Sequence, residues 1–475
     1  MNNRSTISPT WFTALLWSIC LVPSPHMLHA QTLPYQETYR PQFHFTADKG
    51  WINDPNGMVF YQGEYHLFFQ RTPDRIDGGL KSWGHAVSTD MLHWKQLTDA
   101  IEPDAMGDIW SGSAVVDWNN TGGFQTGREK PLVAMYTVAG KTFGQCLAFS
   151  NDRGRTFTKY SGNPVIPHIN GANRDPKLIW YEPTKQWVVA IYLDRKNDYA
   201  LFTSPDLKHW MQLQIVSLRG STECPDFFPL NLDGDAARQK WILTGASGRY
   251  MVGSFDGKAF TAETPSQTVE YGGNCYAAQT FSDIPAAPAA DGRRIQIGWM
   301  NGGKYPQMPF NQQMSIPCEF TLHTTPDAPR IYKYPVKEVE SLHGQLHEYK
   351  DATLQGDTDL LAGLTGDCLD IYANVEPDAT GHVVLNVRGR PVEYDSATHL
   401  LANGKHAVLE PEDGKIKLRI LIDRTSIEVF GNDGRVVITS CFLPRPEDKS
   451  ISLRCTAGAA KISGLKAYEM KSIWE

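Results

Sequence analysis

The stretch GWINDPNGMVFYQGEYHLFFQ, residues 50–70, contains two short apolar runs separated by a turn. The runs MVFY and YHLFF flank residues 62–64, and this composition predicts two strands joined by a hairpin. The segment NDPNG before the first run is rich in turn formers, but Trp51 and Ile52 lead into it. A solvated turn does not need these apolar residues. The position of Asp54 inside this segment is therefore the first question that the sequence raises.

Length, composition and charge limit the classes of protein. The chain has 475 residues, enough for two or three domains with sizeable cores. Hydrophobic residues make up 41% and aromatic residues 11%, which is typical of a globular protein. The formal net charge is −7, and the sequence contains no basic stripe. A mildly acidic chain of this kind is a poor nucleic-acid binder, so no nucleic-acid partner is expected.

The first thirty residues differ from the rest. Arg4 is their only charged residue, residues 11–22 (WFTALLWSICLV) are apolar, and LHA ends at Ala30. This run is too short to span a bilayer and is typical of a secretory signal peptide. We predict that residues 1–30 are such a peptide and that the protein is periplasmic or extracellular. Removing Arg4 leaves 44 basic against 52 acidic residues, a net charge of −8, and no later segment predicts a membrane span.

The cysteines indicate neither disulfides nor metal. The chain has 8 of them, and one lies within residues 1–30. The others are scattered, with no CxxC pair and no metal-ligand spacing. They predict no disulfide framework and no zinc site. We expect no metal and no organic cofactor.

A short pattern recurs four times in the first three hundred residues. It is Ser-x-Asp followed by an aromatic residue, in STDMLHW, SNDRGRTF, SPDLKHW and SFDGKAF, which begin at residues 88, 150, 204 and 254. Each copy closes a β-rich stretch, and the intervals are 62, 54 and 50 residues. The Asp can hydrogen-bond the turn backbone, and the aromatic ring can pack between sheets. Periods near fifty residues in an all-β chain indicate propeller blades of four strands.

A second series alternates with these turns. Its members each begin or precede an apolar run, and they are Asp54, Ser111, Asp175, Glu223 and Tyr276. Five such starts predict a five-bladed β-propeller. In a propeller the first strand of each blade lines the central channel, so residues at the beginnings of these strands converge at one end of it. We therefore expect Asp54, Asp175 and Glu223 to face one pocket, which answers the question raised by the opening stretch.

The pattern changes after about residue 330. Residues 334–346 (YPVKEVESLHGQL) predict a short helix or linker, and apolar and basic residues alternate over 416–422 as in a strand. Further strand-like runs separated by turns predict a β-sandwich. The predicted fold class is all-β. Its parts are a signal peptide at 1–30, a five-bladed β-propeller at 31–335, a linker at 336–347 and a β-sandwich at 348–475.

Three acids at one channel mouth, among Trp, Tyr, Asn and Gln residues, point to a sugar site. Hydrolysis of a glycosidic bond needs one carboxylic acid to protonate the leaving oxygen. A second carboxylate must attack the anomeric carbon or activate water against it. Each acid also has a structural interpretation, since Asp175 before Pro176 can shape the start of a strand and Glu223 can belong to a buried ion pair. Three acids at matching blade positions favour catalysis.

These residues also carry a resemblance to a known family. WINDPNG (51–57), FFQ (68–70), WSGS (110–113), RDPK (174–177) and ECPD (223–226), in this order, resemble glycoside hydrolase family 32. This is the family of levanases, exo-inulinases and invertases. MSIPCEFTL (314–322) and DRTSIEVF (423–430) extend the resemblance through the end of the propeller and into the sandwich. The resemblance covers essentially the whole chain after residue 30.

The resemblance implies a retaining double displacement on a β-fructofuranoside. Asp54 would be the nucleophile, and Glu223 would be the acid and then the base, with about 5 Å between their carboxyl groups. Asp175 would stay ionised and stabilise the oxocarbenium-like transition state, and Arg174 would bind a hydroxyl and keep Asp175 charged. Trp299 has two interpretations, as an apolar wall of the pocket and as a core residue. The predicted fructose-binding residues are Asn53, Gln70, Trp110, Ser111, Arg174 and Trp299.

The sequence departs from the family pattern in places. The Trp often found in the loop after Gln70 is replaced near Gly78. Asn274 and Cys275 stand where Asp and an aromatic residue are common, and Cys318 stands where Arg is usual. These changes leave the three acids intact. They leave open the shape of the rim of the fructosyl pocket and therefore the substrate preference.

The predicted function is exo-acting release of terminal fructose from levan or inulin, and the sequence leaves open whether sucrose is also a substrate. The enzymatic alternatives are a sucrose invertase, an endo-levanase and a fructosyltransferase. A non-catalytic sugar-binding protein would lack at least one of the three acids, and none is missing. The expected partner is a carbohydrate substrate, and the sequence leaves linkage preference and oligomeric state open.

Overall fold

The computed structural model describes Met1 and residues 35–286 and 292–474. Apart from Met1, the predicted signal peptide lies outside the described residues. Within them the chain is all-β, as predicted, and its helices are two short 3-10 turns at Glu182–Thr184 and Lys337–Leu342. None of the helices in this part has the length and hydropathy of a membrane span.

Three consecutive groups of four antiparallel strands begin the fold. They are β1 (Gly50–Tyr61), β2 (Glu64–Thr72), β3 (Ser82–Ser88), β4 (Lys95–Ile101), β5 (Asp108–Val116), β6 (Leu132–Ala139), β7 (Phe143–Ser150), β8 (Thr158–Lys159), β9 (Arg174–Tyr181), β10 (Gln186–Leu193), β11 (Asp198–Ser204) and β12 (Met211–Ser217). The hairpin predicted over residues 50–70 is the pair β1–β2. A β-hairpin of this kind is the unit from which each blade is built.

Two further groups share one nine-stranded sheet, joined by a single parallel pair between Leu232 and Leu322. The strands of this region are β13 (Asp226–Leu232), β14 (Asp235–Thr244), β15 (Arg249–Phe255), β16 (Phe260–Ala262), β17 (Gln267–Thr268), β18 (Tyr276–Thr280), β19 (Arg294–Trp299), β20 (Phe310–Asn311), β21 (Cys318–His323) and β22 (Arg330–Pro335). The short strand β20 does not belong to the shared sheet. It pairs in parallel with β1, which ties the last group to the first.

The first strands of the groups surround a common centre. Strand β1 contacts β5, β5 contacts β9, β9 contacts β13, and β18 returns to β1. This arrangement is the β-propeller predicted from the repeat. The number of five blades stays a prediction, because the last two groups share one sheet.

The Ser-x-Asp segments form the predicted turns. In the first, the carboxylate of Asp90 accepts hydrogen bonds from the backbone nitrogens of Leu92 and His93, both at 2.9 Å. The aspartates of the other three turns also accept from following backbone nitrogens. The aromatic residues after the turns pack in or against buried clusters between sheets, and they are Trp94, Phe157, Trp210 and Phe260. Each turn therefore anchors the outer part of one sheet to its neighbour.

The C-terminal part is the predicted β-sandwich. Its strands are β23 (His343–Glu348), β24 (Ala352–Gln355), β25 (Leu369–Pro377), β26 (His382–Val387), β27 (Arg390–Asp395), β28 (Leu400–Asn403), β29 (Lys405–Val408), β30 (Ile416–Asp423), β31 (Ser426–Gly431), β32 (Val436–Cys441), β33 (Ile451–Ala457) and β34 (Ala459–Met470). One sheet has the order β23-β34-β25-β30-β31-β32 with β24 beside β34, and the other has the order β29-β28-β27-β26-β33. A continuous apolar core fills the space between them. The predicted linker, residues 336–347, consists of the second 3-10 helix and most of β23. The exact domain limits stay a prediction.

Buried charges join the sandwich to the propeller. His44 lies between two carboxylates of the DRTSIEVF segment, with Nδ1 2.8 Å from Asp423 and Nε2 2.8 Å from Glu428. The Asp423 carboxylate also accepts from the backbone nitrogens of Gln42 and Phe43. This segment therefore holds the chain that leads into the first propeller sheet.

Candidate active site

A cavity of about 340 Å³ opens where the first strands of the propeller begin. Side chains from β1, β2, β5, β9, β18 and β19 and from the loops before β3 and β13 line it. Every site residue predicted from the sequence is part of this lining: Asn53, Asp54, Gln70, Trp110, Ser111, Arg174, Asp175, Glu223 and Trp299. Four further residues complete it: Gly79, Lys81, Asp108 and Tyr276.

The carboxylate of Asp54 is held by two donors from different strands. Asn53 Nδ2 donates to Oδ1 at 2.9 Å, and Ser111 Oγ donates to Oδ2 at 2.6 Å. Asn53 is its neighbour on β1, whereas Ser111 lies on β5. Because the two bonds approach different oxygens, they fix the carboxylate in one orientation at the junction of two blades.

The position of Ser111 depends on the glycine that follows it. The pairing of β5 with β6 shifts register between Trp110 and Gly112, as in a β-bulge. At Gly112 a Cβ atom would overlap the carbonyl oxygen of Met135, so only glycine allows this close approach. A bulge re-aims the side chains next to it. This explains the glycine of the WSGS motif.

Asp175 is 3% exposed, and its backbone has a φ of 63°. A left-handed conformation at a residue other than glycine costs about 1–3 kcal/mol and persists when surrounding bonds enforce it. Here the Asp175 nitrogen donates to Thr137 Oγ1 at 3.0 Å, and its Oδ2 accepts from the Cys224 nitrogen at 3.0 Å. The strained turn therefore points a buried carboxylate at the loop that carries Glu223.

Burial raises the pKa of Asp175 to about 7, although the neighbouring Arg174 guanidinium acts in the opposite direction. The negative charges of Asp54 and Glu223 raise the pKa further. The family resemblance implied that Arg174 keeps Asp175 ionised. That expectation is right about the direction in which Arg174 acts, whereas desolvation of the fully buried carboxylate is the larger effect and raises the pKa overall.

Glu223 lies in the loop before β13, and two successive left-handed residues shape this loop. The φ angles are 51° at Glu223 and 37° at Cys224. Arg174 Nη2 donates to Glu223 Oε1 at 2.6 Å, and the Tyr276 hydroxyl donates to Oε2. The hydroxyl of Thr222 is 3.1 Å from that of Tyr276. The Glu223 carboxylate is thus held from β9 and from β18.

Cys224 shows that the acids converge on one space. Its Sγ lies 3.7 Å from Asp54 Oδ2 and 3.5 Å from Asp175 Oδ2, so those two oxygens cannot be further apart than the sum of these distances. Arg174 then links Asp175 to Glu223, with Nε 3.7 Å from the first and Nη2 2.6 Å from the second. Burial raises the pKa of the Cys224 thiol well above its usual range. The sulfur therefore acts as a neutral spacer between acids.

Polar and aromatic side chains form the walls. Gln70 Nε2 donates to the Ile109 carbonyl at 3.0 Å, which ties β2 to β5 beside the cavity. The Trp299 indole lies edge-on to Trp51 at 6.2 Å and to Tyr276 at 6.4 Å, measured between ring centroids. Trp299 therefore forms part of the wall, the first of its two interpretations. An apolar wall with a few convergent polar groups is typical of a small-ligand pocket.

Besides Gly79, which has no side chain, sequence reasoning missed three lining residues as site residues. Tyr276 was recognised only as the start of a blade, although that position alone placed it at the channel mouth. Lys81 and Asp108 have no motif that marks them. Their signal was positional: Lys81 stands next to the SWGHAVS strand, and Asp108 stands two residues before WSGS.

Of the departures from the family pattern, Gly78 and Cys275 each stand next to a residue that lines the cavity, Gly79 and Tyr276. Asn274 instead accepts a hydrogen bond from the Cys441 nitrogen of the sandwich at 2.9 Å. Cys275 is buried, with Sγ 3.5 Å from Lys333 Nζ, and Cys318 is wholly buried. Asn274, Cys275 and Cys318 are not among the residues that line the cavity, so any influence on the pocket rim is indirect.

A larger concavity of about 480 Å³ lies on the outer face of the sandwich sheet that contains β25, β30 and β34. Beneath it the buried carboxylate of Asp370 is hydrogen-bonded to Arg419 at 2.8 Å, to His343 at 2.9 Å and to the Tyr372 hydroxyl at 3.0 Å. The acids that line it are Glu340 and Asp433, and Asp433 is paired with Lys417 at 2.8 Å, so the concavity does not offer two unpaired carboxylates. Across the described residues, no group of three or more His, Cys, Asp or Glu side chains is arranged to hold a metal ion. The propeller cavity is the candidate active site.

Two carboxyl groups that converge on one enclosed space, walled by tryptophan and hydrogen-bonding side chains, define a glycosidase site. The comparison with known families agrees. Residues 44–335 match the description "Glycosyl hydrolases family 32 N-terminal domain", and residues 338–469 match "Glycosyl hydrolases family 32 C terminal". The chain belongs to glycoside hydrolase family 32 and is a glycosidase.

Several relatives share this organisation. The chain is 40% identical to a levanase of Bacillus subtilis (strain 168), over 93% of this chain and 72% of the levanase. It is 31% identical to an extracellular exo-inulinase of Aspergillus ficuum, over 94% of this chain and 97% of that protein. The crystal structure of an exo-inulinase from Aspergillus awamori superposes with a TM-score of 0.83 at 28% identity, over 93% of this chain and all of that one.

Proposed function

We propose that this glycosidase hydrolyses β-fructofuranosidic bonds with retention of configuration and releases fructose from the ends of fructan chains. The observation that carries the proposal is the convergence of Asp54, Asp175 and Glu223 in one cavity. The names of the relatives, a levanase and an exo-inulinase, support fructan as the substrate class. A cavity walled by strands from several blades, about 340 Å³ in volume, admits a chain end better than a chain interior and supports exo attack.

In the proposed reaction, Asp54 attacks C2 of the terminal fructosyl unit while Glu223 gives its proton to the departing oxygen. The bond from C2 to the leaving oxygen breaks, and a fructosyl ester forms on Asp54. Glu223 then takes a proton from water, which attacks C2 and restores the free Asp54 carboxylate. The bonds from Asn53 and Ser111 hold the nucleophile ready, which limits the reorganisation that the reaction requires.

Asp175 and Arg174 serve the fructosyl unit rather than the proton transfers. In its ionised form Asp175 accepts hydrogen bonds from sugar hydroxyls and stabilises positive charge that develops at the ring. Arg174 favours that ionised form and also orients Glu223. The Arg174 guanidinium thus contacts both Asp175, which binds the sugar, and Glu223, which protonates the leaving group.

The test is incubation of the purified protein with levan, inulin and sucrose separately, followed by chromatography of the products. We expect fructose as the main early product from at least one polymer. A ladder of oligosaccharides would indicate endo attack, products larger than the substrate would indicate a fructosyltransferase, and cleavage of sucrose alone would indicate an invertase. The Glu223→Gln variant from the same purification controls for contaminating activity. Inactivity on all three substrates would contradict the proposal.

We also propose that residues 1–30 direct export to the periplasm or the extracellular space, in agreement with the extracellular exo-inulinase among the relatives. The expected outcome is that the exported protein begins at Gln31. N-terminal sequencing of the protein from cell fractions measures this directly. An intact Met1 on protein found only in the cytoplasm would contradict it.

A further inference from the structure

The loop between β2 and β3 has an unusual composition on the cavity side. It reads PDRIDGGLK over residues 73–81 and has no aromatic residue. Its glycines have positive φ angles, 86° at Gly78 and 157° at Gly79. A Cβ atom at Gly78 would lie 3.5 Å from Lys81 Nζ, the nearest heavy atom. The Lys81 ammonium therefore occupies the space into which a larger side chain at position 78 would project.

The structure fixes Lys81 next to Asp108. The Ile109 nitrogen donates to the Lys81 carbonyl at 3.0 Å, and this bond ties the loop to the start of strand β5. Both Lys81 and Asp108 line the catalytic cavity. The Lys81 ammonium lies over the Trp51 ring, 5.6 Å from its centroid. The pair thus shares the cavity with the three acids.

Neither charged group is taken up by a protein partner. Among the described residues, no carboxylate lies within ion-pair distance of the Lys81 ammonium, and no side-chain donor bonds the Asp108 carboxylate. Burial lowers the pKa of Lys81, whereas the charges of Asp54 and Asp108 act against that shift. Lys81 has the Trp51 ring as a cation–π neighbour, but a half-buried cation and a half-buried anion that make no ion pair or side-chain hydrogen bond have hydrogen-bonding capacity left for a ligand.

The charges of the cavity decide what kind of ligand fits. Its ionisable lining consists of four carboxyl groups, Asp54, Asp108, Asp175 and Glu223, against the two cations Lys81 and Arg174. An anionic group such as a phosphate would meet an excess of negative charge. A neutral sugar hydroxyl suits both members of the pair, because Lys81 can donate to its oxygen and Asp108 can accept its hydrogen.

We propose that Lys81 and Asp108 form a hydroxyl-binding pair that contacts the substrate and sets which fructoside the enzyme prefers. This inference rests on the proposed function and adds two specificity-determining residues to it. The glycines of the loop make room for the ammonium. The backbone hydrogen bond from Ile109 to Lys81 keeps Lys81 and Asp108 adjacent. Discrimination arises because a substrate that lacks a hydroxyl at the right place leaves a buried charge unpaired.

The experiment compares kcat/KM on levan, inulin and sucrose for the wild type, Lys81→Met, Lys81→Arg and Asp108→Asn. We expect Lys81→Met and Asp108→Asn to raise KM about 10-fold on the best substrate, the loss of about one charged hydrogen bond. The ratio of kcat/KM between substrates is expected to change at least about 5-fold, and Lys81→Arg should restore it in part. Lys258→Met, an exposed lysine distant from the cavity, is the matched control.

Four results would overturn the inference. An equal change on all active substrates would mean that Lys81 only supports the loop or the charge of Asp54, and in the second case the acidic limb of the pH profile would move as well. Unchanged kinetics in an active enzyme would remove the pair from the binding site while leaving the proposed function intact. Inhibition by fructose 6-phosphate that is stronger than inhibition by fructose, and lost in Lys81→Met, would identify an anion site. A wild type inactive on all three substrates would remove both proposals together.

Discussion

Replacement of His44 by glutamine is expected to weaken the interface between the propeller and the sandwich and to lower the free energy of unfolding. The His44 ring is fully buried, with each nitrogen 2.8 Å from a carboxylate oxygen of the sandwich, on Asp423 and on Glu428. Both ring nitrogens can donate only when the imidazole is protonated. Burial alone would lower the pKa of His44, but the hydrogen bonds and charges of the two carboxylates outweigh it and raise the pKa from 6.5 to about 9.

The magnitude follows from this shift. A rise from 6.5 to about 9 corresponds to about 3 kcal/mol of extra stability for the protonated form, at about 1.4 kcal/mol per pKa unit. Loss of one partner from a buried ionic group costs about 3–5 kcal/mol, which agrees in size. Because the pKa is raised in the folded state, the contribution is fully present below pH 6.5 and is lost as the pH rises through about 9.

The assay is urea unfolding of the wild type and of His44→Gln at pH 6, 8 and 10, followed by tryptophan fluorescence and by circular dichroism. We expect a difference in the free energy of unfolding of about 3 kcal/mol at pH 6 that becomes smaller at pH 10. His93→Gln removes an exposed histidine bonded to Asp90 and should have little effect. A difference for His44→Gln that is independent of pH, or that grows at pH 10, would refute the reasoning.

Three further changes test the site. Tyr276→Phe removes a hydrogen-bond donor to Glu223. Because one hydrogen bond to a charged group is lost, kcat/KM should fall by roughly 10- to 100-fold. An unaltered kcat/KM would show that the hydroxyl is dispensable. Arg174→Gln removes the cation that lowers the pKa of Asp175, so the acidic limb of kcat/KM should move to higher pH, and a shift to lower pH would reverse the assigned sign. Gly112→Ala forces a Cβ against a β6 carbonyl and should destabilise the fold by at least about 1–3 kcal/mol in thermal unfolding, whereas a stability equal to the wild type would mean that the bulge relaxes.

The repeat made most of the architecture predictable from the sequence. Ser-x-Asp turns are local, since one carboxylate bonds backbone nitrogens two to four residues away, so their residue types are visible in the sequence. The alternation of these turns with the starts of apolar runs placed Asp54, Asp175 and Glu223 at equivalent positions of different blades. Equivalent positions in a ring of strands meet at one end, and this is where the structure places the three acids.

Properties that depend on distances between blades were not predictable. The pKa of Asp175 depends on how completely the neighbouring sheets bury its carboxylate, which no motif reports. The role of Tyr276 as a donor to Glu223 requires two blades to be placed side by side. The parallel pairing of β20 with β1 involves two residues in each strand and leaves no periodicity in the sequence. The same holds for Lys81 and Asp108, which a backbone hydrogen bond brings together.

In the proposed reaction, two carboxylates from distant sequence positions act on one sugar carbon. Initial rates of fructose release by Asp54→Asn and Glu223→Gln, each compared with the exposed-acid control Asp357→Asn, measure this most directly. We expect each of the two variants to lose at least about 100-fold in kcat on the best fructan, with an unfolding midpoint close to that of the wild type. Near-normal turnover by either variant, with the control unchanged, would contradict the account.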